Sequence, residues 1–306
     1  MHNAELTIHF GMPKCGSTAL QLHFWKHRKW LQERNILYPE LIDNETEPKQ
    51  QFMVSQLLDN GINFDLFNSF EDNRSNILLS AEGLTNHLYD FPQKNLDNAH
   101  TYFSNRKTVG FVIYRPRESW IKSYYTQCIL NPPSKVAQQF ATALTLADFS
   151  LLPKVSALAD YKQVSLDLKK YFGLSRLVEF ELSANLLKEI ESKLGIPHPI
   201  ESTLTRSNTS PAAHIVEIIR QLNSFEDIIS QRNVWMAAIQ EWSGTQNAIM
   251  NLYRTNITSN AISRLDFRIF DRLSPNENSD FSLKKMRIED LKTWAGNFIP
   301  TQRQEL

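Results

Sequence analysis

Cysteine is scarce in this chain: Cys15 and Cys128 are the only two among 306 residues, and they form no C-x-x-C pair. That excludes a disulfide framework and a cysteine-ligated zinc site. Net charge is lacking too, at +0 with a pI of about 7.1. A broad electrostatic footprint for nucleic acid or an anionic membrane is therefore excluded, and any anion site must be local. No run of about 18 apolar residues occurs, and Met1-His2-Asn3-Ala4-Glu5 carries neither a basic region nor an apolar signal segment. A cytoplasmic protein without a membrane span is expected. Internal repeats and low-complexity tracts are also absent.

What is present is a large apolar fraction: 42% of residues are hydrophobic and 22% charged. Such a chain can bury a sizeable core. The expected organisation is a single domain over 1–306, with an α/β core over 1–223 and a helical C-terminal extension over 224–306 packed on it. Helical periodicity recurs at Val234–Arg254 and Lys284–Phe298, where Trp235, Trp242 and Trp294 are expected to pack onto the core.

The chain is organised around Leu6–Gln21, LTIHFGMPKCGSTALQ. Leu6, Ile8 and Phe10 read as a short strand, Gly11–Gly16 as a turn, and Ser17–Gln21 as the start of a helix. The first N–H groups of a helix lack partners within it and carry the positive end of its dipole, so this order suits an anionic oxygen cluster. Against the nucleotide-triphosphate loop G-x-x-x-x-G-K-[ST], the glycine spacing fits, but Ser17 stands where lysine belongs and Lys14 lies inside the turn. A Gly-Ser turn that merely caps a helix is the plainer alternative. Cys15 reads as a small side chain that fits the turn.

Downstream, Ile36-Leu37-Tyr38 reads as a second strand and Asn76–Ser80 as a buried third, delivering Ala81-Glu82-Gly83 at its carboxyl end. Ligands of open parallel sheets bind at that end. Glu82 is thus a candidate general base, with His87 as runner-up, unless Glu82 only complements a helix dipole. His23 and His27 share a helical spacing, but no third ligand accompanies them, and no metal site is expected. Thr108–Tyr114 is the clearest strand, followed by Arg115-Pro116-Arg117-Glu118 and a helix carrying Ser123. Arg115 offers a charged fork and Ser123 a hydroxyl to a phosphate. After Pro132-Pro133, residues 135–172 read as helical; Leu177–Glu181 is a fifth strand, and Ala184–Leu194 a helix. Ser210-Pro211 reads as the start of a helix reaching about Asn223, and Arg206 precedes it.

Two motifs in order, Pro13-Lys14-Cys15-Gly16-Ser17-Thr18 and Arg115-x7-Ser123, resemble the 5′-phosphosulfate loop and the 3′-phosphate motif of sulfotransferases that use 3′-phosphoadenosine 5′-phosphosulfate (PAPS). The resemblance runs from Leu6 to Pro211. It implies a P-loop-type α/β three-layer sandwich: a central, mainly parallel five-stranded sheet flanked by helices, plus the C-terminal helical region. It also implies PAPS as donor, 3′-phosphoadenosine 5′-phosphate (PAP) as product, no metal, and an acceptor hydroxyl or amine on a carbohydrate or small molecule. Pro13, Lys14, Cys15, Gly16, Ser17, Thr18, Arg115, Ser123 and Arg206 would bind the nucleotide, with Lys14 and Glu82 or His87 catalytic. The chain departs from the cytosolic small-molecule enzymes in lacking a histidine directly after the third strand and a basic-Gly segment near the C-terminus. Both departures favour a carboxylate-base, glycan-type or bacterial branch. A P-loop kinase and a non-catalytic nucleotide-binding protein of the same fold are the rival readings.

Overall fold

In the computed structural model, the described residues are 5–39, 50–63, 75–200, 204, 213–225, 232 and 235. The chain divides into two compact units, Met1–Tyr124 with Ser150–Ser207, and Tyr125–Phe149 with Asn208–Leu306. The candidate site residues that are described all belong to the first unit.

That unit is built on five strands: β1 (Leu6–Phe10), β2 (Ile36–Leu37), β3 (Asn76–Ala81), β4 (Thr108–Tyr114) and β5 (Arg176–Glu181). They form one sheet in the order β2-β3-β1-β4-β5, and every pairing is parallel. The fold is therefore α/β, and the sheet is parallel throughout. Every residue of β1 and β4 is buried, as continuous apolar strands covered on both faces must be.

The helices are α1 (Ser17–Lys26), α2 (Arg28–Gln32), α3 (Phe52–Leu58), α4 (Gly83–Asn86), α5 (Gln93–Ser104), α6 (Arg117–Leu130), α7 (Leu146–Ser150), α8 (Pro153–Ala159), α9 (Tyr161–Tyr171), α10 (Leu186–Leu194) and α11 (Ala213–Leu222). Successive strand residues face opposite sides, and each side has its own cover. On one, Phe10 meets Phe172 just beyond α9, which also meets Phe103 of α5. On the other, Phe111 lies between His9 and Phe180, and Lys193 of α10 covers the Phe180 ring. The result is three layers, helix on sheet on helix. Among the described residues no helix is long and apolar enough to cross a membrane.

The structure differs from the sequence-based expectation in two stretches. Residues 135–172 are not one helical region: α7, α8 and α9 are separate, and 131–145 is irregular. Pro132-Pro133 and Pro153 remove backbone donors, and Asp160 restarts the chain by accepting the Gln163 N–H at 3.1 Å as the cap of α9. The helix after the loop also breaks at His27, where φ −103° and ψ 14° leave the helical region and the Arg28 guanidinium donates to the Trp25 carbonyl. Apart from Trp235, the expected helices at Val234–Arg254 and Lys284–Phe298, with Trp242 and Trp294, lie outside the described residues, as do Ser210 and Pro211. Trp235 is described and buried.

In the second unit, backbone carbonyls near the C-terminal end of α6 are capped by side chains. Arg232 donates to Ile129 and Leu130, and Asn223 to Ile129 and Thr142. The bonds to Ile129 and Leu130 satisfy acceptors that a helix end leaves without partners within the helix.

Gly110 marks where the first unit's core is tightest. A Cβ there would lie 2.5 Å from Leu174 Cδ1 and 2.9 Å from both Leu177 Cδ1 and Phe10 Cε2. Gly110→Ala is expected to lower unfolding free energy by about 1–3 kcal/mol through overpacking, measured by urea denaturation; an unchanged midpoint would show that the three side chains yield freely.

Candidate functional site

The parallel register brings three strand ends to one edge. Phe10 pairs with Ala81 and with Val112, so Gly11, Glu82 and Arg115 all leave the sheet at its carboxyl side. Gly11 binds this edge together by donating its N–H to the Ala81 carbonyl at 3.2 Å. It must be glycine: a Cβ would lie 2.6 Å from the Cα of Glu82 and 2.9 Å from Ser17 Oγ.

Beyond Gly11 the loop turns through two left-handed residues, Lys14 (φ 62°) and Gly16 (φ 84°). The Cys15 N–H closes the turn onto the Met12 carbonyl at 3.2 Å. Gly16 is the N-cap of α1 and supplies no side-chain acceptor. The leading N–H groups of α1 therefore have no side-chain cap from Gly16. Ser17 is buried, and its hydroxyl donates to the Met12 carbonyl at 3.1 Å. What Ser17 offers a ligand is its backbone N–H, whereas Thr18 is only half-buried.

Two loop carbonyls are held from α6 and from Arg115, two residues before it. Trp120 Nε1–H donates to Pro13 O at 2.8 Å, and Arg115 Nη1 to Lys14 O at 3.3 Å. Arg115 Nη2 also donates to Ser119 Oγ, and the Tyr161 hydroxyl donates to the Arg115 carbonyl at 3.0 Å. A guanidinium has five N–H donors, and among the described residues two of those of Arg115 are used in these bonds. Ser123 stands one turn beyond Ser119 on α6, half-buried. Sequence reading passed over Ser119 and Trp120. The signal for Ser119 was its place four residues after Arg115 and four before Ser123, a spacing that puts the two serines on one helical face.

Lys14, Glu82 and Arg115 act on one another electrostatically. Burial lowers the Lys14 pKa below the usual lysine value; the Glu82 carboxylate opposes that shift, and the Arg115 charge adds to it. Burial likewise pushes the Cys15 thiol up to about 12, with Arg115 and Glu82 acting on it in opposite directions. Cys15 is fully buried, so it fills the turn as a neutral thiol. Glu82 is half-buried at the N-cap of the short α4, and its side chain caps no N–H there.

His87, directly after α4, turns Nδ1 to Asp90 Oδ2 at 2.8 Å and Nε2 to Asn86 Nδ2 at a long 3.5 Å. Asp90 is also ion-paired with Lys154. Arg206 lies outside the described residues. The His23 and His27 rings are 4.8 Å apart, and burial, then His27, lowers His23 to about 4. Among the described residues no three His, Cys, Asp or Glu gather as metal ligands. Neither a protein-family model nor a curated protein matches the chain.

Burial alone would raise the Asp90 pKa, but hydrogen bonds from His87 and Lys154 outweigh it and hold the carboxyl below its usual value. A carboxylate depressed in the fold contributes stability that is present above its unfolded pKa, about 3.9, and lost as pH falls through the lower folded value. Denaturant melts at a series of pH values should therefore show an acid-side loss of stability that shrinks in Asp90→Asn. An identical pH dependence in the variant would remove Asp90 from the acid response.

Proposed function

We propose that this chain is a sulfotransferase that moves the sulfuryl group of PAPS to a hydroxyl or amine of a carbohydrate or small-molecule acceptor, releasing PAP. The observation that carries this reading is the meeting of Lys14, Glu82 and Arg115, from three adjacent strand ends, beside the uncapped N-terminus of α1. One base, one mobile-charge neutraliser and one phosphate fork are what in-line transfer between a nucleotide and a hydroxyl requires.

PAPS supplies the sulfuryl group. The N–H groups of Gly16–Thr18 and the Thr18 hydroxyl hold the 5′-phosphate, and Arg115 with Ser123 grips the 3′-phosphate. Lys14 neutralises the negative charge that grows on the oxygen bridging sulfur to the departing phosphate. Glu82 accepts the acceptor's proton while the new sulfur–oxygen bond forms and the old one breaks. Lys14 is half-buried with Arg115 and Glu82 acting on it, so two basic groups face one carboxylate, and a phosphosulfate would add further negative charge. The position of the lysine separates this reading from a kinase, whose loop carries lysine after the second glycine, where Ser17 stands here.

In a thermal-shift comparison, PAP is expected to raise the melting temperature well above the shift given by ATP with magnesium, since a ligand stabilises the fold in proportion to its affinity and concentration. A larger shift with ATP and magnesium would favour a kinase. Arg115→Ala removes charge-assisted hydrogen bonds, each worth about 1.5–3 kcal/mol, so calorimetry should show PAP affinity falling roughly 10- to 100-fold. Equal affinity would sink the assignment.

The base has its own signature. Glu82→Gln keeps the shape and removes proton acceptance, so turnover should fall ~10²–10⁴-fold with PAP affinity little changed. Transfer of labelled sulfate to a panel of sugar and small-alcohol acceptors measures it, and unchanged turnover would take Glu82 out of the mechanism.

A further inference from the structure

Trp120 and Tyr124 lie one turn apart on α6, both fully buried. Their rings stack with centroids 5.0 Å apart and planes 16° from parallel. Each has one polar atom, and the two serve different parts of the site. Trp120 donates to Pro13 O at 2.8 Å, directly before Lys14. The Tyr124 hydroxyl donates to Asn86 Oδ1 at 2.7 Å, at the end of the four-residue helix whose N-cap is Glu82.

A second connection joins the same two places. Gly11 bonds to Ala81 and lies against the Glu82 backbone. The contacts thus close a ring, from the loop to the Glu82 turn through Gly11, and back to the loop through Asn86, Tyr124 and Trp120. Lys14 and Glu82 are both carried on that ring.

We propose that Trp120 and Tyr124 are positioning residues, a rigid aromatic strut that sets the spacing between the lysine of the loop and the carboxylate of the neighbouring turn. A helix as short as α4 does not hold its own geometry in isolation, so the direction of Glu82 depends on what anchors the turn. Gly11 fixes one end and Asn86 the other. The Asn86 contact to His87 is long, which leaves the Tyr124 hydroxyl as the closer hold on the Asn86 side chain. Buried aromatic rings suit this task because stacking fixes them in direction as well as place. The interaction between two charges falls off with their separation, so a displacement of the turn that carries Glu82 registers at Lys14.

The strut is a statement about geometry; only its effect on turnover rests on the sulfotransferase reading. The Lys14 side chain is therefore titrated by NMR in the full chain, with Glu82→Gln as reference. Losing the attraction of Glu82 should lower the Lys14 midpoint. Tyr124→Phe, which keeps the ring and removes one hydroxyl, is expected to move the midpoint in the same direction. Asn86→Ala should do likewise, and the double variant should go no further than either single change, since the two act through one contact.

A Lys14 midpoint unmoved by Tyr124→Phe overturns the proposal, whatever happens to the melting temperature. In the transfer assay Tyr124→Phe should lower kcat while leaving the KM for the donor unchanged; a parallel loss of donor affinity overturns it as well. Failure of PAP to bind the unaltered protein would instead overturn the sulfotransferase reading, and the Lys14 titration would still judge the strut.

Discussion

The parallel pairing of β1 with both β3 and β4 is the constraint on which the site depends. Because Phe10 is level with Ala81 on one side and Val112 on the other, the residues that follow each strand emerge together. The order β2-β3-β1-β4-β5 sends the chain from β1 to one edge of the sheet and later to the other. The loop after β1 thus opens between two crossovers that diverge, the place where an open parallel sheet has room for a ligand. Chemistry-bearing residues more than a hundred positions apart, Lys14 and Arg115, become neighbours without any long-range device beyond strand register.

Within that opening the direction of peptide groups matters as much as side chains. Left-handed backbone at Lys14 and Gly16 reorients the turn, and the carbonyls of Pro13 and Lys14 find donors in Trp120 and Arg115. The N–H groups at the start of α1, by contrast, have no side-chain cap from Gly16. Arg115 consequently does two things: it fixes the loop through the Lys14 carbonyl, and it sets a positive charge beside the Lys14 ammonium. Two basic side chains and one carboxylate thus act on one another at this edge.

Much of this was legible in the sequence, and for a physical reason. A buried parallel strand is a continuous apolar run, so Thr108–Tyr114 reads directly as β4, and glycine spacing exposes the loop because few other residues tolerate its backbone. Glu82 and Arg115 were singled out as candidates because each directly follows such a run. Other features carry no periodic signal. The ties from Trp120 to Pro13 and from Ser119 to Arg115 are single side-chain bonds whose partners are known only once the loop has folded. The helical pattern over 135–172 persists through its breaks because apolar spacing is insensitive to where a proline or an aspartate cap restarts the backbone.

Beneath the site, the same edge is joined by polar groups away from water. Ser80, two residues before Glu82, accepts through its carbonyl from Gln21 of α1 at 3.2 Å and gives its N–H to Gln50 Oε1 at 2.7 Å, and His9 Nδ1 lies 2.6 Å from its hydroxyl. Burial lowers the His9 pKa to about 3, so the imidazole is neutral and brings no charge into the core. With Nδ1 as the donor, Nε2, which has no partner among the described residues, is a bare acceptor. An unmet lone pair is more readily tolerated in a core than an orphaned N–H. The cluster ties α1, which begins with the loop, to β3, which ends at Glu82. The loop after β1 and the Glu82 turn are thereby joined by hydrogen bonds that carry no net charge, and again through Trp120, Tyr124 and Asn86. These ties use neither the Lys14 ammonium nor the Glu82 carboxylate, whereas Arg115 also holds the loop through the Lys14 carbonyl.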